Sequence, residues 1–96
     1  MARGDAVVGI SSIDPDATLD IRPSSGEEWI IHNVYYNVNI ELKIATATQS
    51  LVFASLTAPD VYSKDIHVTY NQWLKVKNTD ATSGLVAYDG MVTKSG

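Results

Sequence analysis

Three aspartates near the start of the chain could bind a cation. Asp14, Asp16 and Asp20 lie close together in the sequence, and carboxylate oxygens are the ligands that hard cations such as Ca²⁺ prefer. A loop-type calcium site also needs further oxygen ligands and a glycine at a fixed offset, which this segment lacks. We therefore predict a solvated turn at these residues and no bound metal.

Paired carboxylates are the second feature that could do chemistry. Glu27 and Glu28, with Asp65 or Asp89, could act as a general acid and a general base. Nothing in their spacing brings two of them together, so we interpret them as turn and surface charges that protect a strand edge. No serine lies in a recognisable nucleophile elbow. The sequence thus predicts a protein that is not an enzyme and holds no cofactor.

The residue content excludes other classes of site. The chain has no cysteine, which rules out disulfides and thiolate metal sites, and its two histidines, His32 and His67, are too few for a closed structural zinc site. A net charge of −4 with seven unclustered Lys and Arg residues argues against a nucleic-acid surface. No segment approaches the ~20 apolar residues of a membrane helix. We expect synthesis in a reducing cytoplasm, with neither nucleic acid nor membrane as partner.

The elements that position these residues follow from a strict alternation of apolar and polar side chains. The clearest example is the run from Asn37 to Ile44, in which apolar residues occupy every even position. Side chains of a strand point to opposite faces in turn, so this pattern predicts strands with one buried face. No helical period occurs. We predict an all-β fold, a small antiparallel β-sandwich or jelly-roll-like barrel of about eight short strands.

Turn-forming residues divide the chain into these strands. The predicted strands cover residues 6–13, 17–22, 29–44, 51–56, 66–70, 73–77 and 85–92. A single strand over 29–44 would span about 50 Å at ~3.3 Å per residue, so we expect a break near 37–39, with even-numbered residues facing the core on both sides. Residues 57–64 are predicted to form a surface loop.

The domain organisation predicted from the sequence is simple. Residues 1–5 form a flexible N-terminal arm that becomes ordered against a neighbouring subunit, and residues 6–94 form a single β-sandwich domain. A domain of 96 residues buries only roughly 60 to 65% of its unfolded surface. Because disulfides are excluded, we expect self-association to supply the missing stability.

Five residues are candidates for contacts with other chains. Trp73 lies on the phase opposite Leu74 and Val76 and should point outward, where an indole is unusual unless a partner covers it. Tyr62 and Lys64 lie in the predicted loop, where partner contacts are expected. His32, on the apolar phase of its strand, and Tyr35 are candidates for a subunit interface.

Three segments resemble virion proteins of tailed bacteriophages. They are residues 23–36 (PSSGEEWIIHNVYY), 72–79 (QWLKVKNT) and 88–92 (YDGMV), and the likeness extends over much of the chain. The chain resembles the small β-sandwich head decoration, or cement, proteins of these phages. This resemblance implies a homotrimer on the outer surface of an icosahedral head, where it binds the major capsid protein and stabilises contacts between capsid subunits.

Two other functions stay open at this stage. The chain could be a different virion component, such as part of a tail, a collar or a fibre base. It could also be a carbohydrate-binding β-sandwich module, because exposed aromatic side chains such as Trp29 and Trp73 can stack on sugar rings.

Overall fold

The computed structural model describes residues 2–95, and within them the chain folds into two antiparallel sheets that pack face to face. The nine strands are β1 (Ala6–Ile13), β2 (Thr18–Ile21), β3 (Glu28–Tyr36), β4 (Ile40–Ala45), β5 (Ser50–Leu56), β6 (Asp60–Tyr62), β7 (Ile66–Thr69), β8 (Trp73–Asn78) and β9 (Gly84–Lys94). The predicted all-β sandwich is confirmed. The additional strand is β6, which lies inside the segment predicted to be a loop.

The strand order places β3, β8 and β9 at the centre of the molecule. Sheet A has the order β1, β9, β3, with β6 and β7 both pairing with β3, and sheet B has the order β2, β8, β4, β5. β1 contacts β2 across the sandwich, and the Phe53 ring on β5 contacts the Tyr62 ring on β6. β1 and β2 therefore form one lateral edge of the sandwich, and β5 and β6 form the opposite edge.

The core fills the space between the sheets with branched aliphatic side chains. Nine of these residues have no exposed surface: Ile21, Ile31, Val34, Leu42, Val68, Leu74, Val76, Val86 and Val92. They follow the two-residue period in each strand, because only one face of each sheet is covered. No helix within residues 2–95 is long and apolar enough to cross a membrane.

The predicted break near residues 37–39 is the corner at which the chain passes from sheet A to sheet B. β3 ends at Tyr36 and β4 begins at Ile40. Two asparagine side chains hold this corner: Asn37 Oδ1 accepts a hydrogen bond from the Leu85 N–H at 2.7 Å, and Asn39 Oδ1 accepts one from the Ala58 N–H at 2.9 Å. The break prediction is confirmed, and the amides supply the partners that the interrupted ladder lacks.

A β-bulge in β3 corrects the predicted phase of its first half. The register with β9 shifts between Ile31 and Asn33, which moves successive side chains to the other face. Trp29 and Ile31 therefore face the core, and the prediction that Ile30 and His32 face it is wrong. At the bulge β9 comes so close to β3 that a Cβ on Gly90 would overlap the backbone of Ile30.

Two buried polar side chains join neighbouring segments. Asn78 has no exposed surface; its Nδ2 donates to the carbonyls of Ile13 and Thr82, both at 2.9 Å, and its Oδ1 accepts from the Asp80 N–H at 2.8 Å. Glu27 is also buried, and its Oε1 accepts a hydrogen bond from Trp29 Nε1 at 2.7 Å. The interpretation of Glu27 as a surface charge is therefore wrong.

The described part of the N-terminal arm has partners in its own chain. The Gly4 N–H donates to the Val92 carbonyl at 2.8 Å, and the Val92 N–H donates to the Asp5 carbonyl at 3.0 Å. Met1 lies outside the described residues. The separate arm over residues 1–5 stays a prediction, but residues 4 and 5 already continue the pairing of β9 without a neighbouring subunit.

Candidate interaction surface

The outer face of sheet A carries a group of exposed apolar side chains, which we call the β1 patch: Val8, Ile10, Leu85 and Met91. Val8 is 73% exposed and Ile10 67% exposed. These two residues alternate along β1 with the core residue Val7 and with Gly9, and they pair with Asp89 and Ala87 of β9. Exposed apolar side chains grouped on a protein surface are candidates for an interaction site.

One carboxylate lies beside this patch and is held by donors from β3. Tyr35 Oη donates to Asp89 Oδ2 at 2.7 Å, and Asn33 Nδ2 donates to Asp89 Oδ1 at 2.9 Å. The hydrogen bond from Tyr35, followed by that from Asn33 and the nearby charge of His32, lowers the pKa of Asp89 below its usual value, while burial opposes this shift. The same bond raises the pKa of Tyr35.

The two predicted subunit-interface residues therefore lie together on the outer face of sheet A. Tyr35 contacts Asp89 directly. His32, at the bulge, has its Nδ1 2.8 Å from Asp65 Oδ1 and is partly exposed. Their role in a subunit interface stays a prediction, and of the two Tyr35 lines a depression together with Ile10 and Leu85 of the β1 patch.

A second apolar group lies on β5, at the opposite edge of the sandwich. This β5 patch consists of Leu51, Val52 and Phe53, of which Leu51 is 65% exposed. β5 pairs only with β4 within residues 2–95, and a register shift at Leu42/Lys43 makes Phe53 the unpaired bulge residue. Three consecutive apolar residues thus stay outside the core on an edge strand, a position that proteins usually protect with charge or proline.

Two of the three predicted partner-contact residues are neighbours of this patch. The Tyr62 ring packs edge-on against Phe53 with 6.2 Å between ring centroids. Lys64 Nζ lies 6.0 Å from the centre of the Tyr62 ring, within cation–π distance. Tyr62 and Lys64 therefore form one continuous surface at the edge of the sandwich.

Trp73 lies elsewhere, at the start of β8, and its own chain covers it. The Arg22 guanidinium lies 3.8 Å from the Trp73 ring centre and 4.1 Å from that of Tyr70, and Arg22 Nε donates to the Tyr70 carbonyl at 2.7 Å. Trp73 is consequently only 6% exposed, although it points outward as predicted. Its contact with a partner stays a prediction, but its outward position no longer requires one.

The candidate chemical groups of the sequence have separate structural partners. Among residues 2–95, no three His, Asp or Glu side chains are grouped so as to hold a metal ion. Asp14 accepts a hydrogen bond from Ser83, and Asp20 binds Lys75 at 3.1 Å. Glu28 lies 2.9 Å from His67 Nε2.

An open groove of about 440 Å³ beside the β5 patch is lined by Thr46, Gln49, Gln72 and small or apolar residues, with no ionisable side chain.

Sequence reasoning missed both apolar patches. The signal was present in each case: apolar residues occupy both phases of β1, at Val7 and Val8, and three consecutive positions of β5. A strand with one covered face needs apolar residues on one phase only. The surplus apolar residues therefore identify the second, uncovered face.

The described residues form a small β-sandwich with two exposed apolar patches. No protein-family model matches the sequence, and no curated protein does either. Among solved structures, the chain is similar to the core of Drosophila NLP, whose structure concerns pentamer formation and histone binding, with TM-score 0.56 and 15% identity over 88% of this chain and 96% of that one. It is also similar to part of the capsular polysaccharide assembling protein CapF of Staphylococcus aureus, with TM-score 0.50 and 12% identity over 97% of this chain and 25% of CapF. At these identities the likeness concerns the fold alone.

Proposed function

We propose that this chain is a structural protein of a virus particle, a head decoration protein that binds the outside of an icosahedral phage capsid as a homotrimer. It is made in the host cytoplasm, has no catalytic role and binds the major capsid protein. The observation that carries the proposal is the pair of exposed apolar patches, one on the outer face of sheet A and one on the edge strand β5. The domain gains stability by covering these patches with neighbouring chains.

The segments that resemble decoration proteins supply further support. They coincide with β3, β8 and the middle of β9, which are inner strands of the two sheets. The resemblance therefore concerns the scaffold that positions the surfaces. The two structural neighbours are not described as virus proteins, so they support only the sandwich architecture.

Attachment through several identical subunits explains how small surfaces could hold a capsid. Once one subunit is bound, the next binds at a high effective concentration, and weak contacts together become strong. The chain has a net charge of −4, which favours a basic capsid surface as partner. Tyr62 and Lys64 are the proposed contacts at the edge of each subunit, with Lys64 meeting an acidic group in that surface.

The carbohydrate-binding alternative loses its proposed stacking residues. Trp29 faces the core and Trp73 lies beneath Arg22, so neither indole offers a free face to a sugar ring. A different position on the particle stays open as an outcome of the test.

A sedimentation experiment tests the proposal. The protein is mixed with expanded heads and, separately, with tails of the phage that encodes it, and bound protein is measured in gradient fractions. We expect saturable binding to heads in multiples of three copies. Binding to tails alone would place the protein elsewhere on the particle and contradict the decoration role, and absence of binding to either would overturn the proposal.

Two charge-matched variants locate the contact. Lys64→Ala should weaken binding to heads several-fold, because it removes one attachment point from every subunit of the trimer. Lys77→Ala removes the same charge from the outer face of sheet B and should leave binding unchanged. Equal effects of the two variants would show that overall charge, and not this surface, determines attachment.

A further inference from the structure

The β1 patch and the β5 patch lie on different sides of the sandwich, the first on the outer face of sheet A and the second on the edge strand β5. β1 contacts β2 of the other sheet at one lateral edge, and β5 contacts β6 of the other sheet at the opposite edge. A symmetric dimer formed through either patch would bury that patch in both subunits and leave the other patch exposed. A head-to-tail contact, in which one patch meets the other, covers both and closes into a ring when the rotation between subunits allows it.

The outer face of sheet A offers a place for a side chain of the β5 patch. A shallow depression of about 270 Å³, lined in part by Ile10, Tyr35 and Leu85, can receive a protruding side chain such as Leu51.

The charges beside the two patches are complementary. Asp89 pairs with Val8 in the β1 patch, and its oxygens accept hydrogen bonds from neutral donors. Lys43 pairs with Val52 in the β5 patch, and within residues 2–95 no carboxylate lies within ion-pair distance of its amine. Opposite charges favour contact between unlike patches, whereas two β1 patches would bring two carboxylates together.

We infer that the β1 patch of one copy binds the β5 patch of the next copy, so that this chain assembles head to tail into a closed ring. This inference deepens the self-association part of the proposed function, of which the trimer is the expected form. Asp89, Tyr35 and the depression beside them then lie within the subunit contact. Lys43 and Val52 lie on the outer face of sheet B beside Lys75, so that end of the face belongs to the contact, whereas Lys77, which pairs with Glu41 and Thr18, stays outside it.

A mixing experiment distinguishes this contact from symmetric pairing. One variant, Val8→Ser/Ile10→Ser, loses the β1 patch, and a second, Leu51→Ser/Val52→Ser, loses the β5 patch. Each keeps one intact surface, so we expect each variant alone to be a monomer and their equimolar mixture to form a one-to-one dimer. Mass is measured by sedimentation velocity and circular dichroism verifies the fold. A control variant, Glu41→Ser/Lys77→Ser, changes the outer face of sheet B without changing net charge and should assemble like the wild type.

Other outcomes would overturn the inference. A wild type that is monomeric both at high concentration and after 100-fold dilution would contradict the ring. A dimer formed by Leu51→Ser/Val52→Ser alone would indicate symmetric pairing through the β1 patch. Absence of a dimer in the mixture would show that the patches do not bind each other. No capsid is present in these measurements, so none of these results bears on binding to heads. The sedimentation experiment tests that binding separately.

If a serine variant fails to fold, a cross-linking measurement distinguishes head-to-tail contact from symmetric pairing. The chain has no cysteine, so Ile10→Cys and Val52→Cys introduce the only thiols. Head-to-tail contact predicts cross-links between the two variants in a mixture and none within either variant alone. Cross-links of Ile10→Cys chains to each other would contradict it.

Discussion

At the scale of single residues, Asn78 joins the end of β1 to the loop that follows β8. Its buried side chain makes three hydrogen bonds, to residues 13, 80 and 82. The sequence showed Asn78 only as the first residue of a polar connection, because nothing in a local pattern reports a partner 65 positions away. A buried amide whose donors and acceptor are all hydrogen-bonded fixes the position of the loop after β8 relative to β1.

Replacing this amide should destabilise the fold. Asn78→Ala removes a buried hydrogen bond to the Ile13 carbonyl and two part-buried ones to the Thr82 carbonyl and the Asp80 N–H, and we expect a loss of about 3 kcal/mol in the free energy of unfolding. Chemical denaturation at fixed protein concentration measures this loss. Asn71→Ala, an exposed change in the loop before β8, should stay within about 0.5 kcal/mol of the wild type, and an equal effect of the two variants would contradict the role of Asn78.

The interaction of Tyr35 with Asp89 should be visible in a titration. Because the folded pKa of Asp89 lies below its unfolded value of about 3.9, the ionised carboxylate stabilises the fold above that pH. This contribution is lost as pH falls through the folded pKa. In Tyr35→Phe the main hydrogen bond is absent, and we expect the Asp89 pKa to rise.

Carboxyl-carbon NMR of the folded protein measures this change residue by residue. Tyr70→Phe removes a phenol from a ring that contacts Arg22 and should not alter the Asp89 titration. An Asp89 pKa that is the same in the wild type and in Tyr35→Phe would show that the hydrogen bond does not determine it.

At the scale of elements, alternation predicted most strands but not their irregularities. The corner at residues 37–39 was predictable because one straight strand would be too long. The bulge at Ile31/Asn33 was not, since Trp29, Ile30 and Ile31 are all apolar and fit either phase. The contact of Arg22 with Trp73 could not be predicted either, because Arg22 reaches the ring from the segment that follows β2.

The close approach of β9 to β3 at this bulge depends on a glycine. Gly90→Ala places a methyl group against the Ile30 carbonyl and the Ile31 backbone, neither of which can move like a flexible side chain. We expect a loss of roughly 1 to 3 kcal/mol in stability, measured by denaturant unfolding. Ser55→Thr adds a methyl group on the exposed face of β5 and should cost far less, so comparable losses would argue against a tight approach.

At the scale of the whole molecule, stability and assembly should be linked. If the ring buries both apolar patches, unfolding requires dissociation, and the midpoint of thermal unfolding rises with protein concentration. For a domain of this length we expect about 4 °C for each tenfold increase. The Val8→Ser/Ile10→Ser variant, a monomer, should unfold at a midpoint that does not depend on concentration, and a constant wild-type midpoint would contradict the link.

The cover over Trp73 and the hydrogen bond of Trp29 to Glu27 have a spectroscopic consequence. Both indoles are buried within a single subunit, one beneath a guanidinium and one beside a carboxylate, and neither belongs to the β1 or β5 patch. Intrinsic emission therefore changes when a subunit unfolds and stays constant when intact subunits separate. Fluorescence and light scattering recorded on one sample thus distinguish loss of the native conformation from simple dissociation.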